Sequence, residues 1–251
     1  MKFYDELLGI YNEVYSRVYD KIVEKNKQIA EPNNKLVSPL FIYPSDEYNN
    51  ADIKLMIFGQ ETNRWHTPEA DESVEKIMET YNKFFWCVPP ECYNKRKHGG
   101  PFWDTIKHLT DRLQNQNKDK KIGHIWNNLI KIGKHGNGFP WMYNCYSDII
   151  KPYFNELIIK EIEILKPDFI VFFSGPNYDW ILSDIFKNVN KKLIQEFRER
   201  QLCEIELLDF PNIKKSLRTY HPKFLFKSNR KRPKEDFIKK IIDEINKSFI
   251  I

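Results

Sequence analysis

Two short constellations in this 251-residue chain carry the residue types for acid–base work on one substrate. The first is Gly59-Gln60-Glu61, at the end of the apolar run Leu55-Met56-Ile57-Phe58. The second is His221-Pro222, after the strand-like run Ser216-Leu217-Arg218-Thr219-Tyr220. In an open α/β sheet the carboxyl ends of parallel strands border the ligand crevice, so a carboxylate and an imidazole delivered there can face one substrate. Breaking a glycosidic bond needs such a pair: an acidic group beside a water and a donor for the leaving group.

Each half also has a structural reading. Gly59 suits any tight turn after a strand, and Glu61 can cap or solvate a following helix. A histidine before proline often makes a single backbone hydrogen bond in a loop. What joins the two is the order of the elements between them.

Residues 3–28 carry Leu7, Leu8, Ile10, Tyr11, Val14, Tyr15, Val18 and Tyr19 at helical spacing, which predicts an amphipathic helix ended by Glu31-Pro32-Asn33-Asn34. A first strand is expected over Ile53–Phe58, then a helix opened by Thr67-Pro68-Glu69 and running to about Phe85. A long loop follows through Pro89-Pro90 to Gly100-Pro101, then a helix from Phe102 to about Leu113. A second strand is expected within Ile122–Ile132, a helix over Tyr153–Lys166, and a strand at Phe169-Ile170-Val171-Phe172-Phe173, whose unbroken apolar run implies burial on both faces. The remaining expectations are a helix from Tyr178, a helix Lys191–Arg200, an edge strand near Glu204–Leu208, the Ser216–Tyr220 strand and a helix Lys234–Lys247. Strands alternating with helices imply a parallel sheet covered on both faces. Residues 1–50 read as an N-terminal helical extension packed on the body, and 51–251 as the α/β domain.

Composition limits the function classes. With 41% hydrophobic and 30% charged residues the chain is globular and not disordered. No apolar stretch has the length of a membrane span, and the start Met1-Lys2-Phe3-Tyr4-Asp5-Glu6 lacks a secretory pattern, so a cytoplasmic setting is expected. Cys87, Cys92, Cys145 and Cys203 are too scattered for a disulfide framework, and neither they nor His66, His98, His108, His124 and His135 have zinc-ligand spacing. No metal or cofactor is expected. The net charge of +5 permits a nucleic-acid partner without demonstrating one.

Taken together, the segments resemble the uracil-DNA glycosylase superfamily. Gly59-Gln60-Glu61 is similar to that family's Gly-Gln-Asp-Pro-Tyr-His loop after strand one, and Tyr220-His221-Pro222-Lys223-Phe224-Leu225 to its His-Pro-Ser-type loop after the last strand. Val171-Phe172-Phe173-Ser174-Gly175-Pro176-Asn177 resembles its apolar strand ending in a small-residue turn, and Trp126-Asn127-Asn128-Leu129 falls where the family carries a base-reading Asn. The match covers roughly residues 52–247 in order.

The resemblance implies a three-layer α/β sandwich with a central, mainly parallel four-stranded sheet in the order 2-1-3-4, plus the N-terminal helix. It implies base flipping and N-glycosidic hydrolysis without a lyase step. Glu61 would orient or activate water and stabilise the sugar cation, and His221 would donate to the charge developing on the base O2. Gln60 and either Asn127 or Asn128 would read the base. Lys223, Lys227 and Arg230 would contact phosphates, with Phe224 or Leu225 as the wedge filling the duplex. Three departures stand out: Glu61 replaces Asp, Thr62 replaces Pro, and Asn63 replaces the Tyr that excludes C5 substituents. Base-binding by Asn63 in a pocket open to C5-modified pyrimidines follows, in base-excision repair or in defence against phage with modified DNA. The expected partner is DNA, with the protein acting as a monomer. Two other classes are compatible with the residues: a catalytically silent nucleic-acid-binding module, and a nucleotide-processing α/β enzyme. Against the second, no glycine-rich phosphate loop follows any strand.

Overall fold

The computed structural model describes residues 3–63, 65, 72–85, 100–136, 142–225 and 234–249. The chain opens with α1 (Tyr4–Gln28), whose Asp5 and Glu6 lie in the first turn and Lys25 and Lys27 in the last, complementing the helix dipole. Then come β1 (Ile53–Asn63), α2 (Val74–Phe85), α3 (Pro101–Gln116), β2 (Ile122–Lys134), α4 (Glu156–Leu165) and β3 (Phe169–Phe172). The chain continues through α5 (Asp179–Ile185), β4 (Val189–Leu193), β5 (Leu202–Leu207), β6 (Lys215–Thr219) and α6 (Lys234–Lys247). Helix α3 begins with proline in its first turn, and α4 ends where Lys166 takes a left-handed conformation (φ 47°) just before Pro167.

The strands form one six-stranded sheet in the order β2-β1-β3-β6-β5-β4. The β2-β1-β3-β6 part is parallel, and β5 and β4 extend it antiparallel. Two cores lie on its two faces. Ile53, Leu55 and Ile57 of β1 pack with Ile106 and Leu109 of α3 and with Ile238 and Ile241 of α6. Met56 and Phe58, the alternate residues, pack with Leu7 and Tyr11 of α1 and with Ile158 and Ile162 of α4. The result is helix–sheet–helix, a three-layer α/β arrangement. Within residues 1–50, Leu36, Val37, Leu40, Phe41 and Ile42 are buried in the same core as α1. This segment bonds along β2 through Val37 N–H to Gly133 O (3.1 Å) and Leu40 N–H to Lys131 O (2.7 Å).

Two expectations are corrected. The sheet has six strands where four were expected, because Lys191–Arg200 does not begin as a helix. Residues 189–193 instead pair antiparallel with 203–207, and Lys192 meets Glu206 across the pair. Partner strands override local helix preference here. The strand expected at the edge is therefore β5, with β4 outside it. The opening of the 67–85 helix at Thr67-Pro68-Glu69 and most of the long loop before Gly100 lie outside the described residues. Among the described residues no helix is long and apolar enough to cross a membrane.

Candidate functional site

The parallel register brings the carboxyl ends of β1, β3 and β6 side by side. Beyond β3 the chain stays bonded to both neighbours: Phe173 N–H donates to Phe58 O (2.8 Å) and Gly175 N–H to Thr219 O (2.9 Å). Gly175 has φ +79°, a conformation that favours glycine, and a Cβ there would stand 3.7 Å from His221 N. The small-residue turn thus runs directly against the histidine. Gln60 ties β1 to the same turn, its Nε2 donating to Ser174 O at 2.7 Å. The open depression lined by Asp46, Glu47, Gln114 and Lys121 borders Ile122 at the amino end of β2, away from this convergence.

Gly59 pairs in register with Asn128, and Phe58 with Asn127. Side chains alternate faces along a strand, so the two asparagines separate. A Cβ at Gly59 would come within 2.5 Å of Asn128 Oδ1 and 3.1 Å of Phe102 Cζ, so glycine permits this approach. Phe102 in turn stacks on the His221 ring, centroids 5.5 Å apart and planes 10° apart. Gly59, Asn128, Phe102 and His221 therefore form a continuous set of contacts. Asn127 is on the other face, inside a buried network. Its Nδ2 donates to Glu161 Oε2 (2.8 Å), and its Oδ1 accepts from Lys131 Nζ (2.8 Å) and Asn128 N–H (2.8 Å). With those groups engaged, Asn127 cannot read a base from there, and Asn128 is the one left for that role.

The Asn128 side chain is 1% exposed and its Oδ1 accepts from the Trp126 indole Nε1 at 3.0 Å. An indole N–H only donates, so the atom facing it must be the amide oxygen. The NH2 end is thereby directed away from Trp126. Asn128 Nδ2 is buried and has no hydrogen-bond partner.

Glu61 is half-buried, and its Oε1 accepts from Tyr178 OH at 3.3 Å. Burial, then the Glu61 charge, raises the Tyr178 pKa well beyond the physiological range, so the phenol stays a donor. Tyr178 was not anticipated; its place just after the Ser174–Asn177 turn was the only signal. The backbone of Asn63 closes β1 after a register irregularity between Glu61 and Asn63; its side chain lies outside the description.

His221 Nδ1 accepts from Lys223 N–H at 3.2 Å. That nitrogen is therefore unprotonated, and the neutral ring carries its proton on Nε2. Burial, then the Lys223 charge, lowers the His221 pKa to about 4. Burial likewise holds His124 at about 4. Both groups titrate near 6.5 when unperturbed, so from there down to about pH 4 the unfolded chain binds more protons than the folded one. Their contribution to stability is complete above this window and is lost as pH falls through it. Thermal melting across the window is expected to show that decline, and replacing both histidines by glutamine to flatten it.

After His221, the short helix Pro222–Leu225 exposes Lys223 and Phe224. Leu225 is 4% exposed and packs in the core with Phe237 and Ile241, so the wedge expectation is corrected for this residue: helix phase turns it inward. Lys227 and Arg230 lie outside the described residues. No group of three or more His, Cys, Asp or Glu among the described residues is arranged to hold a metal.

Scanned against family models and searched against curated proteins, the chain matches none. The functional reading therefore rests on the residues and their geometry.

Proposed function

We propose that the protein is a monofunctional DNA glycosylase that flips a uracil-like or C5-modified pyrimidine from DNA and hydrolyses its N-glycosidic bond. The observation that carries this reading is the Asn128 amide. Its oxygen is held by Trp126, and its buried NH2 is unpartnered beside Gly59 at the carboxyl end of the sheet. A buried donor without a partner is costly and suits a ligand acceptor such as the C4 carbonyl of a keto pyrimidine. An exocyclic amino group at C4 would set donor against donor.

In this reading water attacks C1′ while the bond to the base breaks, and the bonding electrons leave with the base as an anion. Glu61, fixed by Tyr178, orients the water and stabilises positive charge on the sugar. His221 donates from Nε2 to the O2 of the departing base. The buried Lys131 is committed to Glu161, so no Schiff-base step is invoked. Phe224, 39% exposed, serves as the wedge, and Lys223 begins a basic run that continues through Lys227 and Arg230 toward the phosphates. The setting is cytoplasmic and the protein monomeric, in base-excision repair or in defence against phage carrying modified DNA.

Single- and double-stranded oligonucleotides bearing uracil, thymine mismatches, 5-hydroxymethylcytosine or its glucosylated form test the proposal, with alkali-labile abasic sites as readout. Excision of a keto pyrimidine is expected, falling by about 100-fold or more in Glu61→Ala. No product from any substrate would overturn the reading. Salt-sensitive DNA binding that Glu61→Ala leaves intact, without product, would identify a silent binding module instead.

A further inference from the structure

A second buried donor stands one indole away from Asn128. Trp65 is 7% exposed, and its Nε1 has no hydrogen-bond partner. Its ring packs edge-on against Trp126 (centroids 5.8 Å apart, planes at 74°) and against Phe84 (5.2 Å, 81°). Trp126 therefore stands between two orphan N–H groups, touching Trp65 with its ring and holding the Asn128 amide with its own N–H. Neither orphan can accept a hydrogen bond: one is an indole N–H, the other an amide turned by Trp126 to present NH2. Burying a single donor without a partner already costs free energy, and two beside one aromatic ring call for a ligand with two acceptors.

Resting on the glycosylase reading, we infer that Trp65 reads an oxygen atom carried on C5 of the flipped base, which makes 5-hydroxymethyluracil and related C5-oxygenated keto pyrimidines the preferred substrates. The assignment follows from where a second acceptor can lie. If Asn128 Nδ2 donates to the C4 carbonyl, an acceptor one ring-width away must sit on a neighbouring position of the same base. The neighbours of C4 are N3 and C5. In a keto pyrimidine N3 carries a hydrogen and is itself a donor, so only a C5 substituent can supply the acceptor. A methyl group at C5 fills the space but leaves the Trp65 N–H unpaired, whereas a hydroxymethyl or formyl oxygen satisfies it. An amino group at C4, as in 5-hydroxymethylcytosine, satisfies Trp65 and opposes Asn128.

The wild-type protein tests this without any substitution. In matched oligonucleotides, 5-hydroxymethyluracil is expected to be excised about tenfold faster than thymine, the scale of one buried hydrogen bond, and also faster than 5-hydroxymethylcytosine. Trp65→Phe keeps an aromatic ring and removes only the N–H. It is expected to bring the 5-hydroxymethyluracil-to-thymine ratio close to one, with its melting temperature checked in parallel. If that variant does not fold, the wild-type ratio alone decides. Excision of uracil or thymine with no preference for the C5-oxygenated base, or a preference that Trp65→Phe retains, overturns the inference and leaves the glycosylase reading standing. No excision of any base overturns both.

Discussion

Glu161→Ala is expected to destabilise the protein by about 3–5 kcal/mol, a large part of the 5–15 kcal/mol typical of a folded domain. Lys131 and Glu161 are both fully buried, and Lys131 Nζ donates to Glu161 Oε1 at 2.6 Å. The carboxylate also accepts from Tyr11 OH (2.7 Å) and Asn127 Nδ2 (2.8 Å), and the Tyr11 oxygen accepts from Ile42 N–H (3.0 Å). One anion thus joins α1, β2, α4 and the segment after α1. Burial pushes the Lys131 pKa down, and the Glu161 charge opposes that shift. Without Glu161 the ammonium must lose its proton or remain charged with only Asn127 Oδ1 facing it, and Tyr11 and Asn127 each lose an acceptor. Urea midpoints measure the loss. The cost belongs to breaking the pair, not to lacking it. In a double-mutant cycle, Lys131→Met combined with Glu161→Ala is therefore expected to be less destabilising than the sum of the two single changes. Additivity would show that the pair is uncoupled.

This network also explains why the two asparagines were indistinguishable in sequence. Adjacent residues on a strand face opposite sides, but which side holds the site depends on register with the partner strand. Only the pairing of Gly59 with Asn128 and of Phe58 with Asn127 settles it. The Trp126–Asn128 spacing was a usable clue, since residues two apart share a face and an indole beside an amide invites a hydrogen bond. Leu225 poses the same problem in helical form: beside Phe224 in sequence, it points the other way once Pro222–Leu225 coils.

Elements with strong internal patterns were readable. Phe169–Phe172 is apolar throughout because both its faces are covered, and the buried Phe237, Ile238, Ile241, Ile242 and Ile245 of Lys234–Lys247 repeat at helical spacing. Val189–Leu193 was not readable as a strand, because it is mostly exposed and its pattern carries no core face. Its strand state comes from Leu202–Leu207, a partner that follows it in the chain. Phe102 also escaped notice. Its role depends on meeting Gly59 and His221, 43 residues before it and 119 after, and no local pattern announces such a contact.

The second large effect concerns that histidine. His221→Ala is expected to lower kcat for base excision by about 100- to 1,000-fold, the range seen when one preorganised donor to a developing oxyanion is removed. Two features make His221 a neutral donor and not a proton carrier. The Lys223 N–H occupies Nδ1, leaving the proton on Nε2, and burial holds the ring's pKa at about 4. Its stacking on Phe102 sets the ring plane, so little reorganisation is needed when charge arrives. The sign of the pH dependence follows. With the pKa lowered, the ring is neutral from about pH 5 upward, so His221 contributes no break in the rate near its unperturbed value of 6.5. A general acid titrating there would instead lose activity as pH rose through 6.5. A wild-type profile with such a break that vanishes in His221→Ala would refute the neutral-donor role. His221→Gln, which restores an N–H on a shorter side chain, is expected to recover part of the rate without altering the pH profile.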